Sequence, residues 1–383
     1  MIFSFGAKNY FSFREGMNIS FQLNSKVPFY VSKGLKASTV LGLKGANASG
    51  KTNILKCLTF LGDFITSSFD NEESEGISFD TFFETEEPSE FFIDFEANGT
   101  RYIYELTATP NEVINETIYK KVTRKIPLIT RTGNEIKQRV SELEELDLIQ
   151  LKKNSSITSS AHKYKFKSPN VDLKNIVDFF ENFTGNVYPN GILESRFTRD
   201  TASKRYYLNP EAFEFAKAII RKSDLGIMDI EIHENKTPDG KKTYIPIFLH
   251  GNNPNSRWLT SWDESSGTLA LYNKLWAYWD VIDSGGVLIM DEFDINCHNM
   301  LLPRIIDLFQ NEEINTKNAQ FIFTAHSTEI IDYLGKYRTI LVNKENGESY
   351  CYRLDEIKGD LIRNDRSIAA LYREGKIGGV PRQ

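Results

Sequence analysis

Several things are scarce in this chain, and each scarcity excludes a class of protein. Among 383 residues there are three cysteines, Cys57, Cys297 and Cys351, far apart and without CxxC spacing. That excludes a disulfide framework and a zinc-finger type of site, and leaves reduced thiols as filler. No apolar run approaches the ~18 residues a membrane-spanning helix needs. The opening Met1-Ile-Phe-Ser-Phe5 leads into polar sequence instead of a secretory core, so a cytoplasmic location is the expectation. Internal repeats and low-complexity tracts are missing too. Lys and Arg are absent from Gly62 to Glu96, where Asp70, Glu72, Glu73, Glu75, Glu84, Glu86 and Glu87 collect; between residues 120 and 167 the sign reverses, with Lys120, Lys121, Arg124, Lys125, Arg131, Lys137, Arg139, Lys152, Lys153, Lys163, Lys165 and Lys167. A net charge of -6 excludes wholesale coating of nucleic acid, while the basic region 120–167 leaves nucleic acid open as a partner.

What is present describes a folded chain: 40% hydrophobic, 13% aromatic and 26% charged residues. Its length exceeds an ordinary domain of ~100–200 residues, so two lobes or one large α/β domain with an insertion are expected. "IFSF", "NYFSF" and "MNISFQL" read as short strands of period-two character. "STVLGLKG" reads as a buried strand and "KTNILKCLTFLGDFITSSF" as a helix with Ile54, Leu55, Leu58, Leu61 and Ile65 on one side. "EFFIDFEANGTRYIYELTA" is a hairpin about Asn98-Gly99, a pair suited to a type I′ turn; "EVINETIYKKV" and "KIPLITRT" extend its sheet. "NEIKQRVSELEELDLIQLKK", "DLKNIVDFFENF" and "NPEAFEFAKAIIRKS" carry helical stripes. A second hairpin follows about Pro238-Asp239-Gly240, then buried strands "GGVLIMDE" and "AQFIFTAH" separated by the helix "NMLLPRIIDLF", which implies a parallel sheet with helical crossovers. The expected partition is an N-terminal lobe, 1–133, with an antiparallel β layer; a mainly helical insertion, 134–223; and a C-terminal lobe, 224–383.

"GANASGKT", Gly45 to Thr52, matches G-x-x-x-x-G-K-[ST] between an expected strand and an expected helix. Glycines let the amides of Gly45, Asn47, Ala48, Ser49 and Gly50 close around phosphate oxygens; Lys51 reaches the β- and γ-phosphates, Thr52 ligates Mg²⁺, and Asn53 follows in the first helical turn. "VLIMDE" ends in Asp291 and Glu292 at the carboxyl end of a strand, where open α/β sheets place ligands. Asp291 would hold Mg²⁺ through its water shell and Glu292 would polarise the attacking water. His326, ending the next strand, could touch the γ-phosphate. Ser265-Ser266-Gly267 opens a later amphipathic helix and supplies hydroxyls, amides and a positive dipole. Its simplest use is to cover the nucleotide of a second copy, giving a head-to-tail dimer with two sandwiched ATPs; its blandest is a plain N-cap.

The order GxxxxGKT, ESSGT, MDE, TAH resembles that of the ABC-type ATPase heads of the RecF, SMC and OLD proteins. "NYFSF", "GANASGKTN", "ESSGT", "MDEFD", "FTAHST" and "RNDRSIAALYREGKIGGVP" together look like the AAA-type ATPases of the RloA/AbiLi group, associated with bacterial defence against phage. The resemblance implies an ABC-type P-loop head, with "SSG" as signature, His326 as switch histidine, and Asp294 to His298 as the D-loop. His298 stands where SMC-type heads carry aspartate, and no glutamine is assignable to a Q-loop. It also implies a separate effector, a nuclease or toxin, since the chain shows no Toprim-like acidic cluster. The expected function is thus an Mg²⁺-dependent ATPase acting as a sensor subunit. A RecF-like DNA clamp, an ATP-binding scaffold and a small-molecule kinase are the alternatives. The scaffold has no use for Glu292, and the kinase none for the signature.

Overall fold

The computed structural model describes residues 1–167, 170–193, 196–223, 226–236, 240–251, 256–295, 301–359, 361–362 and 367–380. The turn residues Pro238 and Asp239, the cysteine Cys297, His298 of the expected D-loop, and residues 363–366 of the terminal motif lie outside them.

Two sheets face each other across the helix that follows the P-loop. The first is antiparallel and seven-stranded, in the order 17–20, 2–8, 89–97, 100–108, 113–121, 125–132, 135–139. The second has six strands, in the order 348–353, 339–345, 40–45, 320–324, 287–290, 183–185. All its pairings are parallel except the 339–345/348–353 hairpin. Helix Lys51–Ser67 lies between the sheets and buries Ile54, Leu55, Leu58, Leu61 and Ile65, the stripe read from the sequence. These side chains share one core with Phe3 and Phe5 of the antiparallel sheet and with Ile289, Ile322 and Ile340 of the parallel one.

Successive strand residues face opposite sides of a sheet. Val40, Leu288, Met290, Phe321 and Phe323 therefore point away from that helix into a second core. That core is closed by helices Arg199–Leu208, Pro210–Ser223, Ser266–Ser284 and Leu302–Gln310. Strands buried on both faces explain why "VLIM" and "QFIFT" are apolar without alternation. A three-stranded antiparallel sheet, 227–236, 242–250 and 257–260, packs beside the helices of this second layer.

Two local expectations are corrected. "NYFSF" is a tight turn instead of a strand: Tyr10 N donates to Phe13 O at 2.9 Å, and Asn9 and Phe11 take left-handed φ of 53° and 46°. Residues 135–139 form an edge strand paired with 125–132 after the turn at Gly133, and Ser141–Leu148 is a 3₁₀ helix, so "NEIKQRVSELEELDL" is not one α-helix. Its alternating half suits a sheet edge, and only Leu143 and Leu146 of the remainder are buried. The rest of 134–223 includes α-helices Ile157–His162, Val171–Glu181, Arg199–Leu208 and Pro210–Ser223 and the strand Phe183–Gly185.

Candidate functional site

The strand Val40–Gly45 lies between strands 320–324 and 339–345, and the loop after it enters helix Lys51–Ser67. Gly50, the N-cap, has φ of 107°, a conformation that glycine adopts readily, and Ala48 at the loop tip has φ of 61°. Lys51 Nζ curls onto the loop, donating to Gly45 O at 3.0 Å and Ala46 O at 2.9 Å. Burial lowers its pKa, against the opposing pull of Asp291 and Glu292. Ser49 Oγ is buried with no hydrogen-bond partner among the described residues. Asn47 and Ala48 are exposed; Asn53 reaches sideways, Nδ2 donating to Ser12 Oγ at 3.2 Å.

The acids stand beside this loop, as the strand order requires. Thr52 Oγ1 donates to Asp291 Oδ2 at 2.7 Å. Asp291 is 4% exposed, and its second carboxylate oxygen accepts from Thr324 Oγ1. Its main chain is bonded in both directions to the Asn186 amide, at 2.8 and 3.0 Å. Glu292 has φ of 50°, and its N donates to Thr324 Oγ1 at 2.8 Å. A left-handed non-glycine residue of this kind costs about 1–3 kcal/mol and persists where neighbours fix it. The carboxylate comes out half-exposed, with His326 Nε2 3.1 Å from Glu292 Oε1. Asp294 Oδ2 accepts from the N–H groups of His326 and Ser327, at 2.8 and 2.7 Å.

Thr52, Asp291, Glu292, His326 and Lys51 are thus brought together. Thr324, Asn186 and Asp294 also belong to the cluster, and sequence reasoning missed them. Thr324 was findable as the hydroxyl two positions before His326; Asn186 leaves no such signal. Ser12 and Ser349 were missed as well: Ser349 Oγ donates to Ser49 O at 2.7 Å and is hydrogen-bonded to Ser12 Oγ, also at 2.7 Å, pinning the P-loop to the first turn and to the late hairpin. The hard oxygen pair Thr52 and Asp291, already in contact, fits Mg²⁺.

Ser265, Ser266 and Gly267 form a separate feature. Ser265 caps helix Ser266–Ser284, its Oγ accepting from Thr268 N at 3.1 Å, while Ser265 and Ser266 stay exposed. Glu264 Oε1 is held by His250 Nε2. Two tryptophans flank the segment, Trp262 at 68% exposure and Trp258 at 43%. The cap accounts for Ser265, while the Ser266 side chain makes no hydrogen bond among the described residues.

Much of the basic region is occupied internally. Lys120 pairs with Asp172, Lys125 with Glu105, Lys137 with Glu135, Arg139 with Asp147 and Lys163 with Asp70, while Arg131 is buried against Glu116. Lys152 donates to the carbonyls of Phe69 and Asn71.

A phosphate-binding loop on a parallel strand, with two acids on the second strand over and a histidine on the one between, defines a P-loop ATPase of the ABC/AAA class. Residues 40–332 match the family described as AAA domain, putative AbiEii toxin, type IV toxin–antitoxin system, and the chain belongs to it. No curated protein matches the chain. Among solved structures, an Smc head domain with a coiled coil and joint from Pyrococcus yayanosii is similar over 92% of this chain and 97% of that one, at 10% identity and a TM-score of 0.43. Among the described residues, no helix is long and apolar enough to cross a membrane.

Proposed function

We propose that the chain is a cytoplasmic, Mg²⁺-dependent ATPase that works as the sensor or regulatory subunit of an anti-phage system and controls a separate nuclease or toxin. The observation that carries the ATPase reading is the joint placement of Thr52, Asp291, Glu292 and His326 beside Lys51. Thr52 and Asp291 would hold Mg²⁺, which supplies charge neutralisation at the phosphates. The P-loop amides and Lys51 bind and orient the triphosphate. Glu292, held by its main chain and open to solvent on its carboxylate, takes the proton of the attacking water. His326 orients that carboxylate. Ser266, exposed and without a side-chain hydrogen bond among the described residues, completes the pocket of a second copy in a head-to-tail homodimer.

The defence setting is supported by the family's description as a putative toxin of a type IV toxin–antitoxin system. The DNA-clamp reading rests on the basic region, and the ion pairs there take up much of its charge. Phosphate contacts make affinity fall steeply with salt, so binding to duplex DNA across a salt series separates the two readings. For the ATPase itself, Glu292→Gln is expected to keep ATP binding and to lose turnover by roughly 10²-fold or more. Undiminished turnover in that variant overturns the assignment. Lys51→Ala is expected to abolish protection of cells challenged with phage, and full protection would reject the sensor role.

A further inference from the structure

We propose that Lys44 is the positioning residue of the switch histidine: together with Asp294 it clamps the main chain on both sides of His326 and so fixes the ring against Glu292. This rests on reading the site as an ATPase. Lys44 is the last residue before the P-loop glycine, in a strand flanked on both sides, and is only 6% exposed. Leu43 is the final residue paired with strand 320–324, opposite Thr324. Lys44 therefore meets the neighbouring chain where it leaves that strand, and its Nζ donates to the carbonyl oxygens of Ala325, at 3.2 Å, and His326. From the other side Asp294 takes the His326 N–H. With both its peptide groups anchored, His326 keeps only side-chain torsions, and its Nε2 rests 3.1 Å from Glu292 Oε1.

Packing alone does not call for a lysine here. A methionine of similar length would fill the space without burying a charge. Burial, with Lys51 adding to it and Asp294 and Glu329 opposing, brings the Lys44 pKa down to about 8. The Tyr372 ring centroid lies 5.6 Å from the ammonium. The charge is delivered to two main-chain carbonyls of the switch loop, and fixed geometry at that loop is what it provides. A displacement of ~1 Å at a reacting group lowers rates by about 10²-fold, so a clamp of this kind acts on turnover and leaves nucleotide binding alone.

The test compares the full chain with Lys44→Met and Lys44→Arg. The Met variant is expected to bind ATP within about twofold of the parent yet turn over roughly tenfold slower or worse, and Arg to restore most of the rate. In nucleotide-free protein, amide hydrogen exchange across residues 325–328 should quicken in the Met variant and stay slow in the Arg variant. The parent's kcat should fall as pH rises through about 8, because the neutral amine no longer serves both carbonyls, and Arg should carry the plateau to higher pH. Asp294, Glu329, Lys51, Tyr372 and His326 are the titratable groups facing Lys44 and are common to all three proteins. Unchanged turnover or unchanged exchange in the Met variant overturns the clamp. If the parent shows no ATPase at all, the exchange result still decides whether Lys44 holds the loop. If the Met variant does not fold, an unshifted alkaline limb in the Arg variant overturns the proposal.

Discussion

Thr324 shows how much of the site depends on one hydroxyl. It donates to Asp291 and accepts from Glu292 N, so it sets the directions of two acids that are neighbours in sequence and differ in environment, one buried and one open to solvent. Thr324→Val keeps the shape and removes both bonds. The expected outcome is a loss of about 1–3 kcal/mol of stability from the unpaired Glu292 N–H, read by urea denaturation, together with slower turnover that Thr324→Ser restores. That Lys51, Thr52, Asp291, Glu292 and His326 come together was legible from their spacing and order in the chain. Thr324, Asn186 and Asp294 were not, because second-layer contacts are made across strands and follow from register, which a single sequence does not print.

At the scale of elements, legibility followed the strength of the local pattern. Helix Lys51–Ser67 and the Asn98-Gly99 hairpin, whose turn residues take φ of 48° and 73°, were readable from periodicity and turn chemistry. "NYFSF" failed because its aromatic alternation serves a turn that carries Ser12 to the P-loop. The stretch 135–148 failed because helix-forming residues were overridden by an available sheet edge. A buried ion pair ties the antiparallel sheet to the segment before helix Ile157–His162: Arg131 and Glu116, both fully buried, meet at 2.9 Å, Glu116 also accepts from Tyr104 OH and Ile157 N, and Arg131 donates to Ser155 O. Arg131→Met leaves Glu116 buried and unpaired, with an expected cost of about 3–5 kcal/mol measurable by thermal or urea unfolding. The double change to Glu116→Gln with Arg131→Met should recover part of it. A loss below ~1 kcal/mol in the single variant would mean that water reaches the pair.

For the whole molecule, the exposed Ser265-Ser266-Gly267 edge and its flanking Trp258 and Trp262 belong to the second layer, while the P-loop belongs to the boundary between the two. The head-to-tail dimer proposed above would use that separation. Glu292→Gln protein with ATP and Mg²⁺ is expected to sediment as a dimer. Adding Ser266→Arg should return it to a monomer while ATP still binds. A dimer that survives Ser266→Arg would place the interface elsewhere.

The strand that carries Lys51's loop is held between strands 320–324 and 339–345, and the Ser49 carbonyl is bonded by a serine 300 positions later in the chain. On the ribosome, then, the glycine loop emerges early and waits, without flanks, while most of the polypeptide is made. Nascent chains complete the strands on either side of that loop, and its bond to Ser349, only when sequence past Ser349 has cleared the exit tunnel.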